Sequence, residues 1–190
     1  MLLALLVLAA AAHPLDSFRH DHPASTRVEG QGGKQLVHAS GFTAQMKSRD
    51  PESAAREFIG AYAGAFGVTG RQTLSLIHAT PQGTVGPVRF QRRIDGLPVF
   101  GRDLIVGVDA QSRVFLVNGS EMGSDISGAH TLSDDAALER ARSSMKGLEG
   151  VSDATVTRGW RSLGSSVRAA YKVEFIAQKP AGDWRVILDA

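Results

Sequence analysis

"VRFQRRIDGLPVFGRDLIVGVDAQSRVFLVNG", residues 88–119, decides how this chain folds. In its first arm Val88, Phe90, Arg92 and Ile94 point one way and Arg89, Gln91 and Arg93 the other, the alternation of a half-buried strand. Asp95-Gly96 then supplies a two-residue hairpin turn, whose central positions both take positive φ. The return arm runs from Leu97 to Val108. Pro98 has no N–H to give to a ladder, so that end belongs at an edge or a bulge. "VDAQSRVFLVNG" adds another turn and another strand, closed by Asn118-Gly119.

Upstream, "TLSLIHA" (73–79) reads as a short strand, preceded by "DPESAAREFIGAYAGAF". There Asp50 is placed to cap a helix, Pro51 takes its first position and Glu52 its first turn. Ala55, Phe58, Ile59, Tyr62 and Phe66 recur at three- and four-residue steps and form one apolar stripe, ended by Gly67. Downstream of a polar link ("SEMGSDISGAH") the pattern restarts. Ser133 caps a second helix with Ala137, Ala141, Met145 and Leu148 as its stripe, and strands follow at about 153–160, 167–177 and 183–189. Helix, then antiparallel strands, twice over, predicts an α+β fold of two successive helix-plus-antiparallel-sheet, cystatin-like subdomains, residues 50–122 and 131–190.

Residues 13–49 are polar and Gly-rich, with no period, and are expected as a flexible leader. Met1–Ala12 is an unbroken apolar run, shorter than the ~20 residues a bilayer span takes. Ala10 and Ala12 fit the small-x-small rule for signal-peptide cleavage before His13, although no Lys or Arg precedes the run. A buried N-terminal strand or helix is the other reading. The expectation is secretion, extracellular or periplasmic, after cleavage following Ala12, with no stable membrane insertion.

Chemistry is hard to find in these residues. The net charge is +2 and no basic run exceeds "QRR", so nucleic acid is not an expected partner. Cysteine is absent, which removes a disulfide framework, a Cys-ligated zinc and a thiol nucleophile together. His20-x-His22 has no third ligand at a fixed spacing, and His13, His38, His78 and His130 are scattered. There is no H-E-x-x-H, no G-x-S-x-G and no phosphate loop; "GQGG" at 30–33 reads as a linker. Asp134-Asp135 suits the positive end of a helix dipole, and Asp109 and Asp189 suit turns. No catalytic residue, metal site or cofactor is expected, and the chain does not read as an enzyme.

The hairpin nonetheless resembles the fungalysin/thermolysin propeptide domain. That family pairs an Arg-aromatic strand with a turn Gly, then Pro-Val-aromatic-Gly, then an apolar strand with an acidic end. Here these are Arg89, Phe90, Gly96, Pro98, Val99, Phe100, Gly101 and Asp109. The last third resembles a PepSY domain, through "AYKVEF" and "DWRVILDA" with Trp184, Asp189 and Ala190. Two positions depart from the family pattern: Arg92 stands where a Gln is usual, and Ile94 where an aromatic is usual.

The resemblance implies the propeptide region of a secreted zinc metallopeptidase, chaperoning its folding and inhibiting it until proteolytic removal. It also implies continuation past Ala190, since relatives run on into a turn, a cleavage region and a peptidase, so the PepSY-like part is expected to be truncated. The partner is then a thermolysin/fungalysin-like peptidase domain, in cis in a longer precursor or in trans. A free-standing secreted inhibitor or binding module acting in trans is the alternative. Arg89, Arg93 and Arg102 are the candidate partner contacts, able to orient an acidic surface; a solvated sheet face is the other reading of the same three residues.

Overall fold

A computed structural model describes residues 13–145 and 147–190. The signal-peptide reading of residues 1–12 lies outside the described residues. The leader expectation for 13–49 needs correction, because this segment is built into the fold. It forms α1 (Asp16–Asp21), β1 (Thr26–Glu29), β2 (Leu36–Ser40) and β3 (Ala44–Gln45). Leu15, Phe18, Leu36 and Ala39 are buried in the main core. Elements this short carry one or two apolar anchors each, too few for a period to show.

α2 (Pro51–Ala61) begins as its sequence dictates: the Asp50 carboxylate accepts from the Ser53 N–H at 2.8 Å, with Pro51 in the first turn. It ends at Ala61, earlier than the apolar stripe, and Phe66 reaches the core through the turns that follow. Then come β4 (Gln72–Ala79), β5 (Gly86–Ile94), β6 (Leu97–Val108) and β7 (Arg113–Asn118). Asp95 and Gly96 have φ of 49° and 79°, the paired positive values that the β5–β6 turn needs. The Arg71 guanidinium grips the Asp95 carboxylate. β8 (Asp125–Ser127) follows, then α3 (Asp134–Ser144), capped by the Ser133 hydroxyl accepting from the Ala136 N–H at 3.2 Å. β9 (Ser152–Leu163), β10 (Ser166–Gln178) and β11 (Ala181–Asp189) complete the chain.

The fold is mixed α/β, three helices on a large sheet among the described residues. The strands join in one connected 11-stranded sheet along β1-β2-β7-β6-β9-β10-β11, with β3 on β7, β4 on β5, β5 also on β6, and β8 on β10. Helix α2 covers the β4–β7 part, with Phe18 of α1 packed edge-on against Phe58 and Phe66, and Phe18, Phe58, Phe66, Phe90 and Val106 form the main core. Helix α3 covers β9–β11 through Ala141 against Val173 and Phe175. The expected two units are therefore bridged, since β6 pairs with β9 at Val99 and Trp160. A third cluster, Ile94, Val99, Met122, Trp160, Val167 and Ala169, fills the junction.

Candidate functional site: the outer surface of the hairpin

The β5–β6 ladder breaks between two pairs, Gln91 with Asp103 and Arg93 with Pro98. β6 thus carries more residues than β5 across this interval, and the excess bulges outward at Val99–Arg102. Pro98 donates nothing to a ladder, and Gly101 turns the chain back with φ of 67°. The bulge hands Val99 to Trp160 on β9 and lays Phe100 over Gly159. A Cβ at Gly159 would collide with the Phe100 ring and stand 2.5 Å from the Pro98 carbonyl oxygen, so the approach requires glycine.

The motif residues divide by role. Phe90 is fully buried with the Arg56 guanidinium 4.8 Å from its ring centroid, and Gly96 makes the turn. Pro98, Val99, Phe100 and Gly101 build the bulge that meets the second half of the sheet. Arg89 faces outward, donating to Asp103 Oδ2 from Nε at 2.8 Å and Nη2 at 2.5 Å. Gln91 Nε2 donates to the Val99 carbonyl at 3.0 Å and to Asp103 Oδ1 at 3.3 Å. Arg93 is tied back into the hairpin through Ser75 Oγ at 2.9 Å and the Gly96 carbonyl at 2.6 Å. Arg102 reaches β9, donating to the Ser162 carbonyl at 3.4 Å. The three arginines are thus not one patch: Arg89 lies on the outer face, Arg93 braces the turn, and Arg102 spans the junction.

Around Arg89, Gly101 and Asp103 lie two shallow depressions of about 240 and 270 Å³. The first runs on to Asn118 and Ser120; the second crosses Phe100 to Lys172 and Arg185. There Glu174 holds Lys172 at 2.6 Å and Arg185 at 2.7 Å, and the Lys172 hydrogen bond leads in keeping its carboxyl below the usual range. The result is a furrow lined by Arg89, Asp103, Lys172 and Arg185, suited to a polar partner surface. The hairpin itself offers no free strand edge. β5 is flanked by β4 and β6, and β6 by β5, β7 and β9, so the open edge on this side is β4, with Leu76 and Ile77 exposed.

Arg92 stands in the sequence as a departure from the family pattern, with no role assigned to it. Alternation placed it on the inward face, and the structure buries it to 1% exposure with a single protein acceptor, the Phe66 carbonyl at 2.7 Å from Nη2. Nε and Nη1 find no protein acceptor. Burial, with Arg102 adding like charge, brings its pKa down to about 10.

Of the histidines, His22 and His130 pack on aromatic rings, while His20 and His78 are exposed. His22 packs on Phe18 and Phe42, and His130 lies edge-on to Trp160 and Tyr171 with Nε2 2.9 Å from the Gly159 carbonyl. Among the described residues no group of three or more His, Cys, Asp or Glu is placed to hold a metal. Asp109 shapes its turn, accepting from the Gln111 and Arg113 N–H groups, each at 2.9 Å.

No curated protein matches this chain. Residues 77–120, which run from the end of β4 through β7 and contain the whole hairpin with its bulge, match the family model described as the Fungalysin/Thermolysin Propeptide Motif.

Proposed function

We propose that this chain is the propeptide region of a secreted zinc metallopeptidase of the thermolysin/fungalysin type, acting as intramolecular chaperone and inhibitor until it is cut away. The observation that carries this is the motif match over residues 77–120, which fits a metallopeptidase propeptide role. Residues 131–190, with α3 packed on β9–β11, supply the PepSY-like part. Met1–Ala12 supplies the export signal, cleaved after Ala12, for an extracellular or periplasmic destination.

The physics of such a role asks for a surface and nothing catalytic. A secreted peptidase with a high folding barrier is helped by a partner that stabilises its folding transition state. Inhibition follows when the same surface covers the cleft. The furrow at Arg89 and Asp103 offers charge complementarity, and β4 offers an unpaired edge for strand addition.

The test is to refold denatured thermolysin- and fungalysin-type peptidases with and without the purified chain, following recovered and residual activity. A rise in refolding yield together with stoichiometric inhibition is expected. No effect on either quantity across the panel overturns the reading. The coding sequence past Ala190 separates the two modes, because an in-frame H-E-x-x-H places the peptidase in cis and a stop codon leaves action in trans.

A further inference from the structure

A cleft of about 520 Å³ lies away from the hairpin furrow, between the β3–α2 connection and the turns at 81–83 and 110–112. Its volume falls within the roughly 300–1,000 Å³ of small-ligand sites. Lys47 and Arg49 line it, and no carboxylate does. Among the described residues neither cation has a carboxylate within 4.0 Å.

The acids around the cleft are held by backbone and neighbouring groups, Asp50 by the Ser53 N–H. Glu57 spends its carboxylate on the Lys47 and Ser48 N–H groups at 3.1–3.2 Å, and Asp109 is engaged by Arg113. The same bonds hold the walls in place, as does the Ser112 hydroxyl, which donates to the Arg49 carbonyl from a buried turn position with φ of 61°.

Gln45, Gln82 and Gln111 complete the polar lining. Their amides both donate and accept, which matches the repeating N–H and C=O of an extended polypeptide. Arg49 can take a carboxylate through two parallel N–H groups. No aromatic ring lines the cleft, so the stacking that a single-stranded nucleic acid would use is missing.

We infer that this cleft docks an extended, carboxylate-bearing polypeptide segment of a partner protein, with Arg49 and Lys47 pairing its acidic side chains and the glutamines its backbone. The inference does not rest on the propeptide reading.

The test uses fluorescence anisotropy on the full chain with a labelled decapeptide of alternating Glu and Gly, and its Gln-Gly counterpart. The Glu peptide is expected to bind, more weakly as salt rises, and the Gln peptide at least about tenfold more weakly. The double variant Lys47→Gln, Arg49→Gln should lose at least about tenfold in affinity with its thermal midpoint kept, whereas Arg140→Gln on α3 should not. A photo-crosslinker on the peptide should mark residues 45–49, 81–83 or 110–112. Absent binding, equal binding of the Gln peptide, equal loss with Arg140→Gln, crosslinks confined elsewhere, or tighter binding of a labelled oligo-dT each overturns the assignment.

Discussion

The indole N–H of Trp160 donates to the carbonyl oxygen of Ile94 at 3.0 Å, joining residues 66 apart in sequence. Ile94 ends β5, and Trp160 sits in β9 at the one position where β9 pairs with β6. Trp160→Ala removes both the bond and a large buried ring, at a cost of about 3–5 kcal/mol. Trp160→Phe keeps most of the ring and removes the indole donor, while the Ile94 carbonyl keeps its hairpin pairing with Leu97, so the cost is about 0.5–1.5 kcal/mol. Denaturant unfolding should show that order, and a single cooperative transition in the wild type. Two separated transitions in the wild type would mean that this junction does not couple the halves.

Gly159 gives a second test of the same junction. A methyl group there meets the Phe100 ring and the Pro98 carbonyl, and backbone yields less readily than a ring. Gly159→Ala should destabilise by about 1–3 kcal/mol. Pairing it with Phe100→Leu should recover only part of the loss in a double-mutant cycle, since the Pro98 contact remains. Full recovery would show that the ring alone sets the spacing.

What the sequence made legible was local. The Asp50 and Ser133 caps, the Asp95-Gly96 turn and the alternation through Val88, Phe90 and Ile94 each depend on residues within a few positions, and each appears as expected. α1 and β1–β3 escaped because Leu15, Phe18 and Leu36 are isolated anchors whose burial depends on α2 and β7 arriving from elsewhere. The bridge from Val99 to Trp160 and the cleft at Lys47 and Arg49 are assembled from distant segments, which periodicity does not register. At Arg92 the period and the unusual residue type were both legible, but not that the guanidinium would be buried with one acceptor.

Arg92 should be dispensable for stability. Its guanidinium is buried with no carboxylate among its hydrogen-bond partners, and breaking solvation for an uncompensated charge is costly. Arg92→Gln removes the charge and keeps an amide on a shorter side chain. The variant should be as stable as the wild type or more so by about 1 kcal/mol, measured by the chemical-denaturation midpoint. A loss above about 2 kcal/mol would show that the guanidinium has stabilising partners beyond the Phe66 carbonyl.

Acid sensitivity should enter through His22. Burial among Phe18, Phe42 and Tyr62 leads in lowering its pKa below the usual 6.5, with Asp21 opposing. The folded chain therefore binds this proton less readily than the unfolded chain. Well above pH 6.5 neither state carries it and His22 contributes no slope. As pH falls below 6.5 the unfolded state protonates first, and stability declines until the lower folded pKa has been passed. His22→Phe should flatten that decline in thermal midpoints taken from pH 7 downward, before the carboxylates begin to titrate near pH 4. An unchanged slope would assign the sensitivity to other groups.

Arg89 allows surface function to be separated from stability. Its pairing with Asp103 is half-exposed on the arginine side, and exposed ion pairs contribute about 0–1 kcal/mol. Arg89→Gln should therefore shift the unfolding free energy by less than about 1 kcal/mol. If the furrow is the face presented to a peptidase, the same substitution should weaken inhibition by about tenfold or more, because a charged contact desolvated in a complex costs far more to lose than one in water. Arg93→Gln provides the contrast: Arg93 braces Ser75 and Gly96, so its loss should appear in the unfolding midpoint more than in inhibition. Progress curves for a peptidase titrated with each variant, set beside their melting curves, decide the matter. Equal inhibition by wild type and Arg89→Gln would remove the furrow from the contact surface and leave the β4 edge as the place to look.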